Sequence, residues 1–191
     1  MTTELPKIHA ARVRLARTDA LAPGELAGVR SLVFAAFGGE RDEPFDEHDW
    51  QHALGGTHVI AELAGRVVAH ASVVPRDLHA AGRPMRTGYV EAVGVDPTLQ
   101  GRGLGTIVMR AANRHISDEY ELGALGTGDQ SFYERLGWRV WRGPTSIRSP
   151  RGDVPTPEED GSIMVLLVAS TPESLDVRAP LSCEWREGDG W

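Results

Sequence analysis

Residues 100–106, Gln-Gly-Arg-Gly-Leu-Gly-Thr, have the types and spacing that most directly specify chemistry. Glycines at alternate positions (101, 103 and 105) interleave with Arg102 and Leu104, between an apolar strand pattern ending at Val95 and a helical pattern from about Leu104. Each glycine lowers helix propensity by roughly 1 kcal/mol relative to Ala. In return it permits positive φ and close backbone approach. Exposed N–H groups at a helix N-terminus then make an electropositive cradle for phosphate oxygens. Two phosphate motifs are excluded. A P-loop needs Gly-Lys-Ser/Thr, and no Lys lies here. A dinucleotide fingerprint needs Gly-x-Gly-x-x-Gly early in a βαβ unit, with an acid about 20 residues on. The alternative is a glycine-rich left-handed turn without a ligand.

Other candidates are carboxylates, imidazoles and one thiol. Glu40, Asp42, Glu43, Asp46, Glu47 and Asp49 crowd one segment, with Phe45 and Trp50 among them. This is either a solvated acidic face or a wall of a cation-binding cleft; a wholly solvated loop has no need of Trp50. His58, His70 and His79 fall on predicted strands at spacings that make no metal site, so no metal is expected and ordinary structural roles are assigned. The single cysteine, Cys183, rules out an intramolecular disulfide and a Cys-rich zinc site.

At 191 residues and 41% hydrophobic, one domain spanning 1–191 is expected. Net charge is −7, with 27 acids against 20 Lys and Arg, which argues against nucleic acid and makes a cationic small molecule the better partner. The longest apolar run, residues 163–169, is too short for a membrane span. With no N-terminal apolar segment and one cysteine, a cytoplasmic location is expected.

The elements that must position these residues follow in order. Ile8 to Leu15 fits a strand. Thr18 or Asp19 could cap the helix predicted for 23–37, which Gly38-Gly39 ends. A short helix is expected before Gly55-Gly56. A meander follows: Thr57 to Leu63, Arg66 to Ala80 and Arg83 to Val95, with turns at Ala64-Gly65 and Ala81-Gly82. After the glycine loop come a helix, a strand over Glu121 to Gly126, a short helix over Asp129 to Leu136, strand-like stretches at Trp138 to Arg142 and Thr145 to Arg148, a Pro-rich acidic loop over 149–161, and an apolar strand from Gly161 to Ala169. A tail from about 170 to 191 completes the chain.

Gln100-x-x-Gly103-x-Gly105 after a Val-x-Val strand resembles the acetyl-CoA pyrophosphate loop of the GCN5-related N-acetyltransferases (GNATs), and the element order is theirs. The resemblance implies an α/β (α+β) fold: a central mixed, mostly antiparallel twisted sheet flanked by helices. Strands 4 (Gly88–Val95) and 5 (Glu121–Gly126) would splay apart to receive the pantetheine arm. Further stretches narrow the likeness: Asp49-Trp50-x-His52-x-Leu54-Gly55-Gly56, Gly88-Tyr89-Val90-Glu91, Leu122-Gly123-Ala124-Leu125, Tyr133-x-x-Leu136-Gly137-Trp138, Trp141-x-Gly143-Pro144-Thr145-Ser146, and Cys183-x-Trp185-Arg186-x-Gly188-Asp189-x-Trp191. From about residue 26 to 191 the chain looks like the aminoglycoside 2′-N-acetyltransferases. That likeness implies acetyl transfer from acetyl-CoA to the 2′-amine of gentamicin, tobramycin or kanamycin B-type drugs, by direct attack in a ternary complex. It also implies a bacterial homodimer and antibiotic resistance. Gly126 stands where that family often carries a Ser that touches the drug.

An amine attacking a thioester must lose a proton. Glu91 is the candidate base: it sits two residues before Val93, whose face it would share by alternation, and a lone Glu in a doubly apolar strand is expensive unless solvated or paired. The resemblance implies that it acts through a water. It implies Tyr133 as general acid to the departing thiolate, and the backbone N–H of Val93 as the donor that polarises the thioester carbonyl. Val93, Val95, Gln100, Gly101, Arg102, Gly103, Leu104, Gly105 and Thr106 would hold the cofactor. Asp49, Glu91, Ala92, Gly126, Glu159, Asp189 and Trp191, with its α-carboxylate, would meet the polycationic acceptor; Glu43, Asp46 and Asp160 are secondary choices. Tail docking is expected because a free tail would leave the Trp185 and Trp191 indoles in water. Two other functions stay open: acetylation of another polyamine or an envelope amino sugar, and a non-catalytic protein that holds acetyl-CoA or the drug. Glu91 and Tyr133 argue against the second.

Overall fold

Local sequence sets most of the elements in the computed structural model, which describes residues 10–38 and 45–191. Ile8, Gly39, Glu40, Asp42 and Glu43 lie outside them. Two compact units emerge: Met1–Val73 with Glu91–Ala112, and Val74–Val90 with Asn113–Trp191.

In the first unit, β1 (Arg12–Arg17) pairs antiparallel with β2 (Thr57–Leu63), which pairs antiparallel with β3 (Arg66–Ala80). Helix α1 (Pro23–Phe37) starts at a proline that gives up a donor the helix does not need there. Its cap is neither Thr18 nor Asp19, which form a separate short turn of 3-10 helix. Instead Glu25 Oε2 reaches back to the Ala22 N–H at 2.9 Å. Val29, Leu32 and Val33 bury one face of α1. Gly94 permits close packing here, since a Cβ on it would stand 3.2 Å from the Ala36 Cβ. Helix α2 (Glu47–His52) is capped by Asp46, whose carboxylate accepts from His48 N at 2.7 Å and Asp49 N at 3.2 Å. Trp50, buried, joins Val29, Val33, Ile60 and Ala92 in the core. The Ala64-Gly65 turn between β2 and β3 has φ of +50° and +77°. Positive φ at both central residues is the turn geometry that matches strand twist.

The second unit is built on a sheet in the order β6-β9-β5-β4-β3-β10-β7-β8. Its strands are β4 (Arg83–Val95, of which the part from Glu91 onward belongs to the first unit), β5 (Leu122–Gly126), β6 (Arg139–Val140), β7 (Thr145–Ser149), β8 (Gly152–Pro155), β9 (Ile163–Leu167) and β10 (Leu181–Glu184). Pairing is parallel for β4–β5 and β10–β7 and antiparallel for β5–β9, β6–β9, β7–β8 and β10–β3. The helices are α3 (Leu104–Glu119), part of which belongs to the first unit, and α4 (Gln130–Glu134), shorter than the predicted Asp129–Leu136. Two expectations are corrected. The loop read over 149–161 contains β8, and the tail contributes β10, seated between β3 and β7. The apolar core gathers Leu78, Met85, Tyr89, Leu122, Trp141, Ile163, Leu181, Cys183 and Trp191.

Candidate active site

The β4–β5 ladder is short. It runs Thr87↔Leu122, Gly88↔Gly123, Tyr89↔Ala124 and stops there, while β4 continues to Val95. Beyond it Ala92 sits at φ +51°, a left-handed conformation inside a strand. For a residue with a Cβ this costs about 1–2 kcal/mol. Glu91, Val93 and Val95 are half-buried while Ala92 and Gly94 are buried. This alternation runs through the left-handed residue Ala92. Ser72 Oγ donates to the Glu91 carbonyl at 3.2 Å, and the Ala92 carbonyl lies 2.8 Å from His70 Nδ1.

Asp96 then organises the turn into the glycine loop. Its Oδ1 accepts from Thr98 N at 2.9 Å and Thr98 Oγ1 at 2.7 Å, and its Oδ2 from Arg66 Nη2 at 3.2 Å. Those bonds hold its carboxyl below the ordinary range, the Thr98 hydroxyl most of all. Leu99 and Leu104 are buried anchors on either side of the loop. Gly101 and Gly103 take φ of +72° and +89°, and a Cβ built on either would stand in open space. Backbone conformation, rather than crowding, therefore demands these glycines. The first N–H groups of α3 have no acceptor within their own helix. Gln100 and Arg102 belong to the same turn, and Gln100 Nε2 reaches the Val95 carbonyl at 3.5 Å. Gly105 and Thr106 open α3. Asp49 belongs to the same unit, but its Oδ2 is engaged by the Asp46 N–H at 2.9 Å in the α2 cap.

Tyr133, Gly126, Glu159, Asp189 and Trp191 belong to the second unit. Tyr133 is half-buried, edge-on to Phe132 and Trp138. Burial pushes its hydroxyl up to about 12. The turn after it is pinned through its carbonyl, which accepts from Leu136 N and Trp138 N, and through Asn113, which bonds both the Leu136 carbonyl and the Trp138 indole. Gly126 is exposed, and a Cβ on it would make only ordinary contact, 3.4 Å from Tyr89 Oη.

The tail is docked. Trp191 is buried, and its indole N–H donates to Thr156 Oγ1 at 3.0 Å. Arg76, itself buried, donates to Glu184 Oε1 at 3.0 Å and to the Gly190 carbonyl at 2.9 Å. Arg186 donates to the main-chain oxygens of Asp189 and Trp191 at 2.6 and 2.7 Å. Asp189 is exposed, and Glu159 Oε2 accepts from Ser162 Oγ. One tail expectation is corrected: Trp185 is 59% exposed, so only one indole is sheltered. Asp160 is spent structurally, as its Oδ1 accepts from both Thr145 N and Thr145 Oγ1. Cys183 is buried and its thiol is pushed up to about 11, unlike a nucleophile. Among the described residues, no group of His, Cys, Asp and Glu is placed to hold a metal ion, and no helix is long and apolar enough to cross a membrane.

Comparison with known proteins decides the family. Residues 17–141 match the acetyltransferase (GNAT) domain. The chain is 41% identical over 187 residues, 96% of its length and 93% of the relative's, to an aminoglycoside 2′-N-acetyltransferase of Mycolicibacterium fortuitum. The chain belongs to the aminoglycoside 2′-N-acetyltransferase family of GNAT acetyltransferases. The fold agrees. A GNAT acetyltransferase from Brucella melitensis, solved with acetyl-CoA, superposes with a TM-score of 0.62 at 20% identity, over 88% of this chain and 94% of that one. A GNAT N-acetyltransferase from Escherichia coli, solved with CoA, gives a TM-score of 0.62 at 17% identity, over 93% and 91%.

Two residues given only ordinary structural roles by the sequence lie next to Ala92. His58 and His70, assigned no special role, are fully buried and hydrogen-bonded to each other at 2.8 Å directly behind Ala92.

Proposed function

We propose that this enzyme transfers the acetyl group of acetyl-CoA to the 2′-amine of aminoglycoside antibiotics, and so confers resistance to them. The observation that carries this reading is the 41% identity, over 96% of the chain, to a protein of that name. The glycine loop and the acidic residues Glu159 and Asp189 are consistent with it. In this reading Gln100 to Thr106 hold the pyrophosphate with backbone N–H groups, alongside Val93 and Val95. Bound acetyl-CoA supplies an activated acetyl thioester. Glu91 takes a proton from the acceptor ammonium through a water, leaving the neutral amine whose lone pair attacks the thioester carbonyl. The Val93 N–H donates to the oxygen on which charge develops. Removing a donor of that kind typically costs ~10²–10³ in rate. Tyr133 keeps its proton through neutral pH and offers it to the departing sulfur. In the first unit Asp49 and Ala92, and in the second Gly126, Glu159, Asp189 and Trp191, are the residues read as meeting the acceptor, with the 170–191 tail carrying the last two. A homodimer in the bacterial cytoplasm belongs to the same proposal, and light scattering of the purified protein tests the dimer.

The functional test is thiol release from acetyl-CoA across aminoglycosides. Kanamycin B, with a 2′-amine, should be turned over, and kanamycin A, with a 2′-hydroxyl, should not. Equal turnover would overturn the 2′ assignment, and no release with any amine would indicate a binding protein.

A further inference from the structure

Two peptide planes meet at Ala92, and β3 holds both. The plane before it carries the Glu91 carbonyl, which accepts from Ser72 Oγ at 3.2 Å. The plane after it carries the Ala92 carbonyl, 2.8 Å from His70 Nδ1. The φ and ψ of a residue are the rotations of its two flanking planes. Fixing both planes fixes Ala92 at φ +51°, where an alanine would not otherwise rest. The Ala92 carbonyl and the Val93 N–H also belong to one planar trans peptide. Whatever holds the carbonyl aims the N–H on the opposite side.

The hydrogen bonds continue outward from His70. His58 Nδ1 lies 2.8 Å from His70 Nε2, Thr18 Oγ1 lies 2.9 Å from His58 Nε2, and the Gly55 N–H donates to Thr18 Oγ1 at 3.0 Å. Both rings are fully buried. Burial favours the neutral form, pushing His70 down to about 3 and His58 down to about 4. The proton positions then follow. A carbonyl only accepts, so His70 carries its proton on Nδ1. Its bare Nε2 accepts from His58 Nδ1–H, and the bare Nε2 of His58, at 2.9 Å, takes the Thr18 hydroxyl proton in preference to the Gly56 carbonyl at 3.3 Å. Every donor from Gly55 to His70 points towards Ala92, an alignment that strengthens each bond. The chain ends on a carbonyl, which cannot pass a proton on, so it is no proton path.

We infer that Thr18, His58 and His70 are positioning residues for the acetyl transfer: together they brace the Ala92–Val93 peptide so that the Val93 N–H is preset for the charge that develops there. The inference rests on the reading of Val93 given under the proposed function.

Three variants at His70 test it. Asn places an amide N–H where Nδ1 stands, Gln places one near Nε2, and Leu supplies neither. With the brace acting through Ala92, kcat falls about 10- to 100-fold in His70→Leu and His70→Gln but stays within about 3-fold in His70→Asn. KM for acetyl-CoA and for kanamycin B stays within about 2-fold in all three. A merely structural role would rank the variants by melting temperature and penalise the cavity left by Asn. That ranking, or a His70→Asn loss as large as that of Gln, overturns the inference. If His70→Leu does not fold, the Asn–Gln comparison decides alone. A readout independent of turnover is long-range ¹H–¹⁵N NMR of the wild-type imidazoles at neutral pH. Both rings should show Nδ1–H and bare Nε2, and the other tautomer or an imidazolium on either ring overturns the brace. If the wild-type enzyme acetylates no aminoglycoside, the functional reading fails instead. The brace is then judged by these tautomers and by the Val93 amide resonance, which must shift in His70→Gln and not in His70→Asn.

Discussion

Replacing Trp191 by Ala removes the side chain that seats the end of the chain. Trp191 is 5% exposed and packs in the cluster that holds Met85, Tyr89, Trp141 and Cys183. Its indole N–H donates to Thr156 Oγ1 at 3.0 Å, and Thr156 Oγ1 in turn donates to Thr145 Oγ1 at 2.9 Å. Truncating a buried Trp to Ala costs about 3–5 kcal/mol, of which the hydrogen bond is about 1 kcal/mol. At about 1.4 kcal/mol per factor of ten, the docked tail is weakened by roughly 10²–10³-fold. Asp189 is part of the same turn, because its Oδ1 accepts from Trp191 N at 3.0 Å. An acceptor site built on this turn loses its carboxylate when the turn lifts away. The expected outcome for Trp191→Ala is a rise of at least about tenfold in KM for kanamycin B, with KM for acetyl-CoA within about twofold. Trp191→Phe keeps most of the ring area and loses only the N–H, so a rise of about fivefold is expected. Steady-state thiol release, with each substrate varied against saturation of the other, measures both constants. An unchanged drug KM in Trp191→Ala would remove the tail from the acceptor site. A parallel rise in both constants would show general loss of structure rather than loss of a docked tail.

Tyr133→Phe should lower kcat about 10²-fold. Because burial holds the hydroxyl near 12, the alkaline limb of the pH–rate profile should be the same in both proteins; a limb that vanishes with the hydroxyl would refute its role as a protonated donor. His58 and His70 predict acid sensitivity of the fold. Each is held neutral with its pKa lowered from 6.5, so the unfolded chain binds more protons, and stability is full above about pH 6.5 and drains as pH falls towards about 4. Denaturant midpoints measured from neutral pH down to 5 should fall more steeply for the wild type than for a His58→Gln, His70→Asn double variant; parallel slopes would refute the assignment. Gly143→Ala would put a Cβ 1.9 Å from the Ala179 carbonyl oxygen and 2.7 Å from that of Arg178, both backbone atoms that cannot swing aside. Moving that segment breaks Arg142 N to Val177 O at 2.8 Å, Gly143 N to Val177 O at 3.1 Å and Trp141 Nε1 to Ala179 O at 2.9 Å. At about 1 kcal/mol each, Tm should drop by about 6–12 °C, and a melt within about 2 °C of wild type would refute the packing.

The elements that local chemistry punctuates were legible in the sequence. Pro23 and Gly38 bracket α1, Ala64-Gly65 and Ala81-Gly82 divide the meander, and alternate glycines mark the loop before α3. What could not be read locally was pairing at long range. Leu181–Glu184 is too short for periodicity to mark, and it becomes a strand only because β3 and β7 leave a slot for it. Gly152–Pro155 is wholly exposed, so no apolar pattern distinguishes β8 from a loop. The same limit explains the tail: Trp185 and Trp191 look alike in sequence, but only Trp191 lies against Thr156. That Asp49 and Asp160 each accept a backbone N–H through one carboxylate oxygen is likewise not legible in the sequence.

The histidine pair escaped notice for a different reason. The Ala64-Gly65 turn sets Leu63 opposite Arg66. Continued without interruption, that register would put His58 opposite Ala71 and turn His70 to the other face of the sheet. The register shifts between Ala61 and Glu62: Glu62 pairs with Val67, Ala61 with Ala69, and Val68 has no partner on β2. One inserted residue brings His58 opposite Ser72, which makes His70 its diagonal neighbour on the same face, within hydrogen-bond reach. The Val68 carbonyl accepts from the Asp96 N–H at 2.9 Å, at the start of the turn that leads into the glycine loop. A single bulge thus lines up two imidazoles behind Ala92 and ties down the approach to the glycine loop. A bulge is a property of two strands together, so neither strand's own periodicity records it. Two strand histidines with unremarkable neighbours become a brace only once the slip between the strands is known.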